Sequence, residues 1–164
     1  MIDRLIEWIE RCSLVGGYAS GFFMVLIVIL ISVEILARTL FGTSTLIADE
    51  YSAYFFVAVV LLGLAFALKD GAHIRITLVQ TRLTENGRRI LDLAVTLIAL
   101  VLALYAFRHA VEMVYDTWSL EMTADSISET PIWIPQVVIP VGLLLFILQL
   151  AAHFLRRLSS SQIR

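Results

Sequence analysis

The sequence predicts an all-α membrane protein built from four transmembrane helices. The hydrophobic fraction is 60% and the mean hydropathy is +0.90. Only 16% of the residues are charged, and they cluster between four long apolar runs. Soluble domains hold about 45–50% apolar and about 25% charged residues, so this composition favours a membrane protein. The 164 residues fit a single membrane domain, 1–164, and the single cysteine, Cys12, excludes an internal disulfide.

Each apolar run is long enough for one membrane crossing. A helix needs about 20 mostly apolar residues to cross about 30 Å of hydrocarbon. We predict transmembrane helices at about residues 14–40, 48–68, 90–114 and 132–155. The first run is too long for a cleaved signal peptide, and no small-residue cleavage site follows it. Pro140 interrupts the fourth run and should kink that helix.

The basic residues predict the orientation, because lysine and arginine concentrate on the cytoplasmic side. Two precede the first helix, five lie between the second and third helices, and three lie in the tail. The connection between the first two helices has only Arg38, at its edge, and the connection between the third and fourth has none and is acidic. Both termini are therefore predicted to be cytoplasmic.

The segments beside the spans are amphipathic. Residues 1–12, MIDRLIEWIERC, place apolar side chains on one helical face and charged side chains on the other. This pattern predicts a helix lying in the membrane interface, with Trp8 at headgroup level. The connection between helices 2 and 3 contains HIRITLVQTRL, which mixes apolar and basic residues in the same way. We expect it to lie on the cytoplasmic surface.

Charged and small residues inside the spans are the candidate functional positions. Glu34 and Arg38 are four residues apart and can pair on one helix face. A charge in lipid costs about 2.5–3.5 kcal/mol even on the milder scale, so this pair forms either an ion or proton relay or a structural contact. Glu50, at the mouth of the second span, could join Arg38. Gly17 and Gly21 form a Gly-xxx-Gly pair that lets another helix approach closely.

The histidines do not form a cofactor or metal site. His109 and His153 fall near opposite membrane faces, about 25 Å apart in depth at 1.5 Å per residue, and cannot ligate one haem. His73 lies in the connection between helices 2 and 3, and no cysteine–histidine spacing suits zinc. The sequence contains no nucleophile elbow, phosphate loop or paired-carboxylate site. We therefore predict no catalytic residue, no cofactor and no metal.

Three motifs follow one another in a distinctive order. The first span closes with VEILARTLFG, which contains Arg38 and Phe41. The last begins with PIWIPQVVIPVG, which contains Pro131, Trp133, Pro140 and Gly142. The segment between them reads ADEYSAYFFVAVVLLGLAFALKDGAHIRITLV. It has an acidic residue at its start, then an aromatic residue, a glycine in mid-helix, and a basic residue before a Gly-x-His-Ile motif. Its residues are Glu50, Tyr54, Gly63, Lys69, Gly71, His73 and Ile74.

These motifs resemble the small, Q-type (DctQ-like) membrane subunit of TRAP transporters, the tripartite ATP-independent periplasmic systems. The resemblance covers almost the whole chain and departs at Thr77, where the family has an acidic residue. It implies a scaffold subunit, not an enzyme, in the bacterial inner membrane. Its partners would be a large elevator-type M subunit and a periplasmic binding protein, in sodium-coupled symport of an organic acid. The alternatives are an independent four-helix channel or small transporter, and a membrane-anchor subunit of an enzyme complex.

The resemblance also implies roles for the selected residues. The residues expected to serve helix packing or contact with the large subunit are Glu34, Arg38, Glu50, Gly17, Gly21 and Gly63. The residues expected to anchor the cytoplasmic turn, either to lipid phosphate or to the large subunit, are Lys69, His73 and Arg75. The acidic connection is either a solvated loop or a docking surface for the binding protein, formed by Asp116, Glu121, Asp125 and Glu129.

Overall fold

The computed structural model describes residues 2–70 and 85–159, and this part of the chain is all-α. In chain order the helices are α1 (Ile2–Phe41), α2 (Ala48–Lys69), α3 (Glu85–Ser119), α4 (Trp133–Gln136) and α5 (Val138–Ser159). Within these described residues, four segments are long and apolar enough to cross a membrane: Arg4–Phe41, Ala48–Lys69, Ile90–Ser119 and Trp133–Arg156. The predicted fold class, an all-helical protein with four long apolar helices, is confirmed.

The helix ends follow local chemistry. α1 stops because Gly42 adopts a left-handed conformation, φ +64°, and its N–H bonds the Arg38 carbonyl at 3.1 Å. α2 carries Asp49 and Glu50 in its first turn and Lys69 in its last turn. These charges are favourable at the positive and negative ends of the helix dipole, respectively.

The first helix is longer than predicted. Residues 2–12 do not form a separate interfacial helix but continue directly into the apolar span, giving one helix of 40 residues. Ile6 and Ile9 are each 5% exposed and pack against Ala152 of α5, with Leu148 beside them. Part of the apolar face that we expected to lie against lipid is therefore covered by this chain's own last helix. Trp8 remains exposed, and its position at headgroup level stays a prediction.

The fourth span is broken near its start. α4 and α5 are separated at Val137, three residues before Pro140. Pro140 has no N–H to donate to the carbonyl of Gln136, and its ring crowds that carbonyl. The interruption is local, because Val137 keeps right-handed helical angles of φ −56° and ψ −27°, and the kink expected at Pro140 stays a prediction.

The helices do not form a closed four-membered ring. α2 packs against α1 and α5, and α1 also contacts α5. α3 lies on the outside of this group and packs against α4 and α5. We call the end with connections 42–47 and 120–132 the loop end, and the end with residues 2–12 and the last turns of α5 the terminal end.

Small residues set the helix spacing. A Cβ on Gly142 would lie 2.7 Å from Leu61 Cβ, and one on Gly16 would lie 2.8 Å from the Leu62 carbonyl oxygen. The backbones of α1 and α5 therefore both touch α2. Ser20 adds a hydrogen bond of 2.7 Å to the Val59 carbonyl. Few other side chains are buried, since only 6 to 22% of the residues in the most apolar stretch of each membrane-crossing segment are buried.

Replacing Gly142 by leucine should destabilise the protein, because the new side chain would collide with the α2 backbone. We expect a loss of about 1–3 kcal/mol, typical of overpacking. The measurement is the midpoint of thermal unfolding in detergent. Gly21→Leu is the matched control, since no heavy atom lies within 4 Å of a Cβ built there. Equal loss of stability in both variants would contradict the proposed contact.

Candidate functional site

A buried carboxylate organises the connection between α1 and α2. Glu34 is 6% exposed and accepts hydrogen bonds from Arg38 Nε at 2.5 Å and Ser44 Oγ at 2.6 Å. Its other oxygen accepts the Thr45 N–H at 3.0 Å and the Thr45 hydroxyl. Both carboxylate oxygens are thus used, so the charge is compensated where it is removed from solvent.

Arg38 holds the other side of this cluster. It bonds Glu34 and, through its terminal nitrogen, Ser44 Oγ at 3.2 Å. Its side chain is nevertheless 57% exposed. Glu34 therefore belongs to the interior of this chain, whereas the guanidinium of Arg38 offers a charged surface to a neighbour.

A second carboxylate holds the connection between α3 and α4. Glu50 accepts hydrogen bonds from Tyr54 Oη at 2.8 Å and from Ser128 Oγ at 2.9 Å. Ser128 in turn accepts from Thr130, and the Thr130 and Tyr51 hydroxyls lie 3.0 Å apart. The start of α2 is therefore tied to a loop almost eighty residues away in sequence.

These contacts divide the predicted loop-end cluster into two. The structure brings Arg38 together with Glu34, and it pairs Glu50 with Tyr54 and Ser128 instead of Arg38. The link between α1 and α2 at this end comes from Ser44 and Thr45. The sequence alone gave no signal that short hydroxyl side chains in both connections would supply the partners.

The connection after α3 begins with an ordered turn. α3 extends five residues beyond its predicted end and closes with the Met122 N–H on the Thr117 carbonyl and the Glu121 N–H on the Trp118 carbonyl. This pattern of two backbone hydrogen bonds needs a residue in the left-handed conformation, here Glu121 with φ +50°. Thr123 and Pro131 then form an isolated β-bridge.

The acidic residues of this region are all exposed. Asp116 lies in the last turn of α3 and not in the connection itself, which corrects its predicted place. The other three are on the loop, and Glu121 lines a groove of about 690 Å³ together with Trp118 and Trp133. The exposed carboxylates are those of Asp116, Glu121, Asp125 and Glu129.

Polar side chains also join the helices at the terminal end. Arg156 Nη2 pairs with Glu10 Oε1 at 2.6 Å, which links α5 to α1. Ser13 Oγ donates to Gln149 Oε1 at 2.8 Å, and both residues are buried. His153 Nε2 lies 3.8 Å from Asp92 Oδ2 of α3. Sequence reasoning did not select these pairs, because their members are far apart in the chain.

The predicted cytoplasmic anchor is only partly visible. Lys69 lines a small cavity of about 40 Å³ with Glu10, His153 and Arg156. His73 and Arg75 lie outside the described residues. Among the described residues, no group of three or more His, Cys, Asp or Glu side chains could hold a metal ion.

The predicted packing glycines differ in their surroundings. A Cβ on Gly17 would lie 2.7 Å from the Phe66 ring, and one on Gly63 would lie 3.0 Å from Ser20 Oγ. Gly21 faces open space. Within this chain, the Gly-xxx-Gly pair therefore does not act as one surface.

One ionic group lies on the exposed side of α3. Arg108 Nε and Glu112 Oε1 are 2.9 Å apart, and His109 Nδ1 lies 2.9 Å from Glu112 Oε2. The ring of Tyr105 packs edge-on against His109, with centroids 4.5 Å apart. Arg108 was not among the residues selected from the sequence, although its i, i+4 spacing from Glu112 inside an apolar run was a usable signal.

Comparison with known proteins agrees with this architecture. Residues 27–160 match the family described as Tripartite ATP-independent periplasmic transporters, DctQ component. The chain belongs to this DctQ family. The match begins in the middle of α1 and extends to the end of α5, so it includes both loop-end clusters. The expected resemblance to the small TRAP subunit is confirmed, and the chain is a multi-pass membrane protein of a transport system.

Two curated relatives are more distant in sequence. The chain is 23% identical over 162 residues to the ectoine TRAP transporter small permease protein of Halomonas elongata, covering 99% of this chain and 80% of that protein. It is 22% identical over 125 residues to a protein of Haemophilus influenzae provisionally named TRAP transporter small permease protein, covering 76% of each chain. Both names describe small permeases, in agreement with DctQ membership.

Neutralising the carboxylate by Glu34→Gln should lower the stability of this DctQ protein. The amide would present an N–H₂ group to donors that now bond a carboxylate, and hydrogen bonds to charged groups contribute about 1.5–3 kcal/mol each. The measurement is the midpoint of thermal unfolding in detergent. Glu121→Gln makes the same chemical change at an exposed site and should leave the midpoint almost unchanged. A midpoint in Glu34→Gln equal to that of the unmodified protein would refute the structural role.

Proposed function

We propose that this chain is the small scaffold subunit of a sodium-coupled TRAP transporter. In this proposal it binds a large elevator-type transport subunit and enlarges the static part against which the moving domain works. It does not itself carry substrate, and it has no enzymatic activity. The observation that carries the proposal is the family match over residues 27–160, together with the placement of polar groups in the bundle.

The placement of polar groups supports a scaffold. In the described residues, the hydrogen-bonded carboxylates of Glu34 and Glu50 serve the loops at one end, and the Glu10–Arg156 pair joins helices at the other. A transport site of this size would need convergent polar groups and broken helices near the middle of the membrane. The interior contacts are instead made by small apolar residues such as Ala58, Ala65 and Ala103.

The proposed location is the bacterial inner membrane, with both termini in the cytoplasm. The positive residues near the start of α1, in and beside the connection between α2 and α3, and from the end of α5 onward support this orientation. The loop end then faces the periplasm, where the exposed carboxylates around residues 116–129 would meet a periplasmic binding protein. Lys69 at the end of α2, with His73 and Arg75 of the following connection in the sequence, would meet lipid phosphate or the large subunit.

The substrate class that we propose is a small organic acid, delivered by the binding protein. The Halomonas relative is named an ectoine TRAP transporter small permease protein, so ectoine is tested beside organic acids. Specificity would lie in the other two components, because the proposed scaffold does not itself carry substrate.

The decisive experiment is reconstitution. The chain, the large subunit and the binding protein are assembled in liposomes, and uptake of labelled organic acids is followed with an imposed sodium gradient. We expect uptake with all three components and none with this chain alone. Transport by the isolated chain would overturn the scaffold proposal in favour of an independent transporter.

Replacing Arg38 by alanine should impair assembly or uptake without preventing membrane insertion. The guanidinium is more than half exposed, so its loss removes a charged contact surface while Glu34 keeps its bonds to Ser44 and Thr45. Uptake should fall about tenfold, the effect of losing one charged contact at an interface. Arg4→Ala, an exposed arginine near the chain start, is the control. Unchanged copurification with the large subunit and unchanged uptake in Arg38→Ala would refute this role.

A further inference from the structure

The exposed face of α3 carries ionised groups where a membrane helix normally carries apolar ones. Tyr105, Arg108, His109 and Glu112 follow the i, i+3, i+4, i+7 spacing of one helix face. The side chains of Arg108, His109 and Glu112 are 77%, 51% and 48% exposed, respectively. We call these four residues the α3 polar face.

This face points away from the rest of the chain. The buried residues of α3 recur every seven positions on the opposite side, and they pack toward α4 and α5. They are Thr96, Ala103, Ala110 and Thr117. The four polar-face residues lie between these positions, on the side that no helix of the bundle covers.

The α3 polar face also lies well inside the span. The Thr117 hydroxyl donates to Gln136 Oε1 at 2.7 Å, so the end of α3 is level with the start of the fourth span. Glu112 and Arg108 are seven and eleven residues before Ser119, about 10 and 16 Å along the axis at 1.5 Å per residue. Measured from the end of α3, both groups therefore lie within the thickness of a hydrocarbon layer of about 30 Å.

Internal pairing compensates these charges only in part. Glu112 receives Arg108 on one oxygen and His109 on the other. The Arg108 bond uses its Nε–H, and a guanidinium has four further N–H donors. With most of the side chain exposed, those donors require acceptors that lipid tails cannot supply.

We propose that the α3 polar face is the site at which a transmembrane helix of the large subunit docks, through a side-chain carboxylate or carbonyl that accepts from Arg108. The inference rests on the proposed function and adds to it the surface used and the chemistry of the partner. A flat guanidinium favours such a planar acceptor, because it can donate two parallel hydrogen bonds. Tyr105 and the apolar residues around it would supply the packed surround of that contact.

The first test is copurification of the co-expressed subunits from membranes in mild detergent. Arg108→Leu removes the donors but makes α3 more apolar, so membrane insertion is retained. We expect about a tenfold loss of large subunit recovered per small subunit, as for a truncated interfacial charge pair. Ile29→Ala, which truncates an exposed apolar residue of α1, is the control and should recover as much as the unmodified chain.

The outcomes separate this inference from the proposed function. If the unmodified chain copurifies and Arg108→Leu does so equally well, the α3 site is wrong and the scaffold proposal stands. If the unmodified chain recovers no large subunit, the scaffold proposal fails and the α3 site fails with it. If Arg108→Leu loses the large subunit and Ile29→Ala retains it, both proposals are supported.

A second test does not depend on the Arg108 variant being stable. A photo-crosslinking amino acid is placed at Leu102 in the otherwise unmodified complex and irradiated in native membranes. Docking predicts an adduct with the combined mass of the two subunits. Adducts with lipid alone would overturn the proposal, because they would show that this face meets the bilayer.

Discussion

The close approach of helix backbones around α2 is the constraint on which the rest of the structure depends. α2 is touched by α1 at Gly16 and by α5 at Gly142, at distances that leave no room for a larger residue. In a membrane, apolar side chains gain nothing by leaving lipid for one another, so association relies on tight packing and on polar contacts between helices. The glycines supply the first, and Ser20 and the Ser13–Gln149 pair supply the second.

Once these three helices are fixed, the loops can be fixed by carboxylates. Glu34 accepts hydrogen bonds from Ser44 and Thr45 of one connection, and Glu50 accepts one from Ser128 of the other. Each carboxylate accepts hydrogen bonds from hydroxyl or backbone N–H groups of a connection, and these donors would otherwise be bonded to water. Both connections are consequently held by hydrogen bonds to carboxylates of the helices. α3 is held differently, along one side only, so its other side remains open at Arg108 and Glu112.

Prediction from sequence succeeded for features that depend on local pattern. Apolar runs gave the four spans, and the i, i+4 spacing gave the Glu34–Arg38 pair. It was less successful for features that depend on neighbours. The start of α1 was expected to be a separate helix on the membrane surface, yet Ile6 and Ile9 are covered by Ala152. Asp116 was assigned to a connection because acidic residues cluster there, although α3 continues to Ser119.

By itself, the sequence determined that this protein crosses the membrane four times and belongs with small TRAP subunits, because length, hydropathy and motif order are properties of the chain alone. Only the tertiary structure decided which glycines are spacers, which hydroxyl groups bind Glu34 and Glu50, and which side of α3 is uncovered. These depend on the distances between segments far apart in sequence. Gly17 and Gly21 show the difference, since one lies against Phe66 and the other faces open space, although both belong to the same motif.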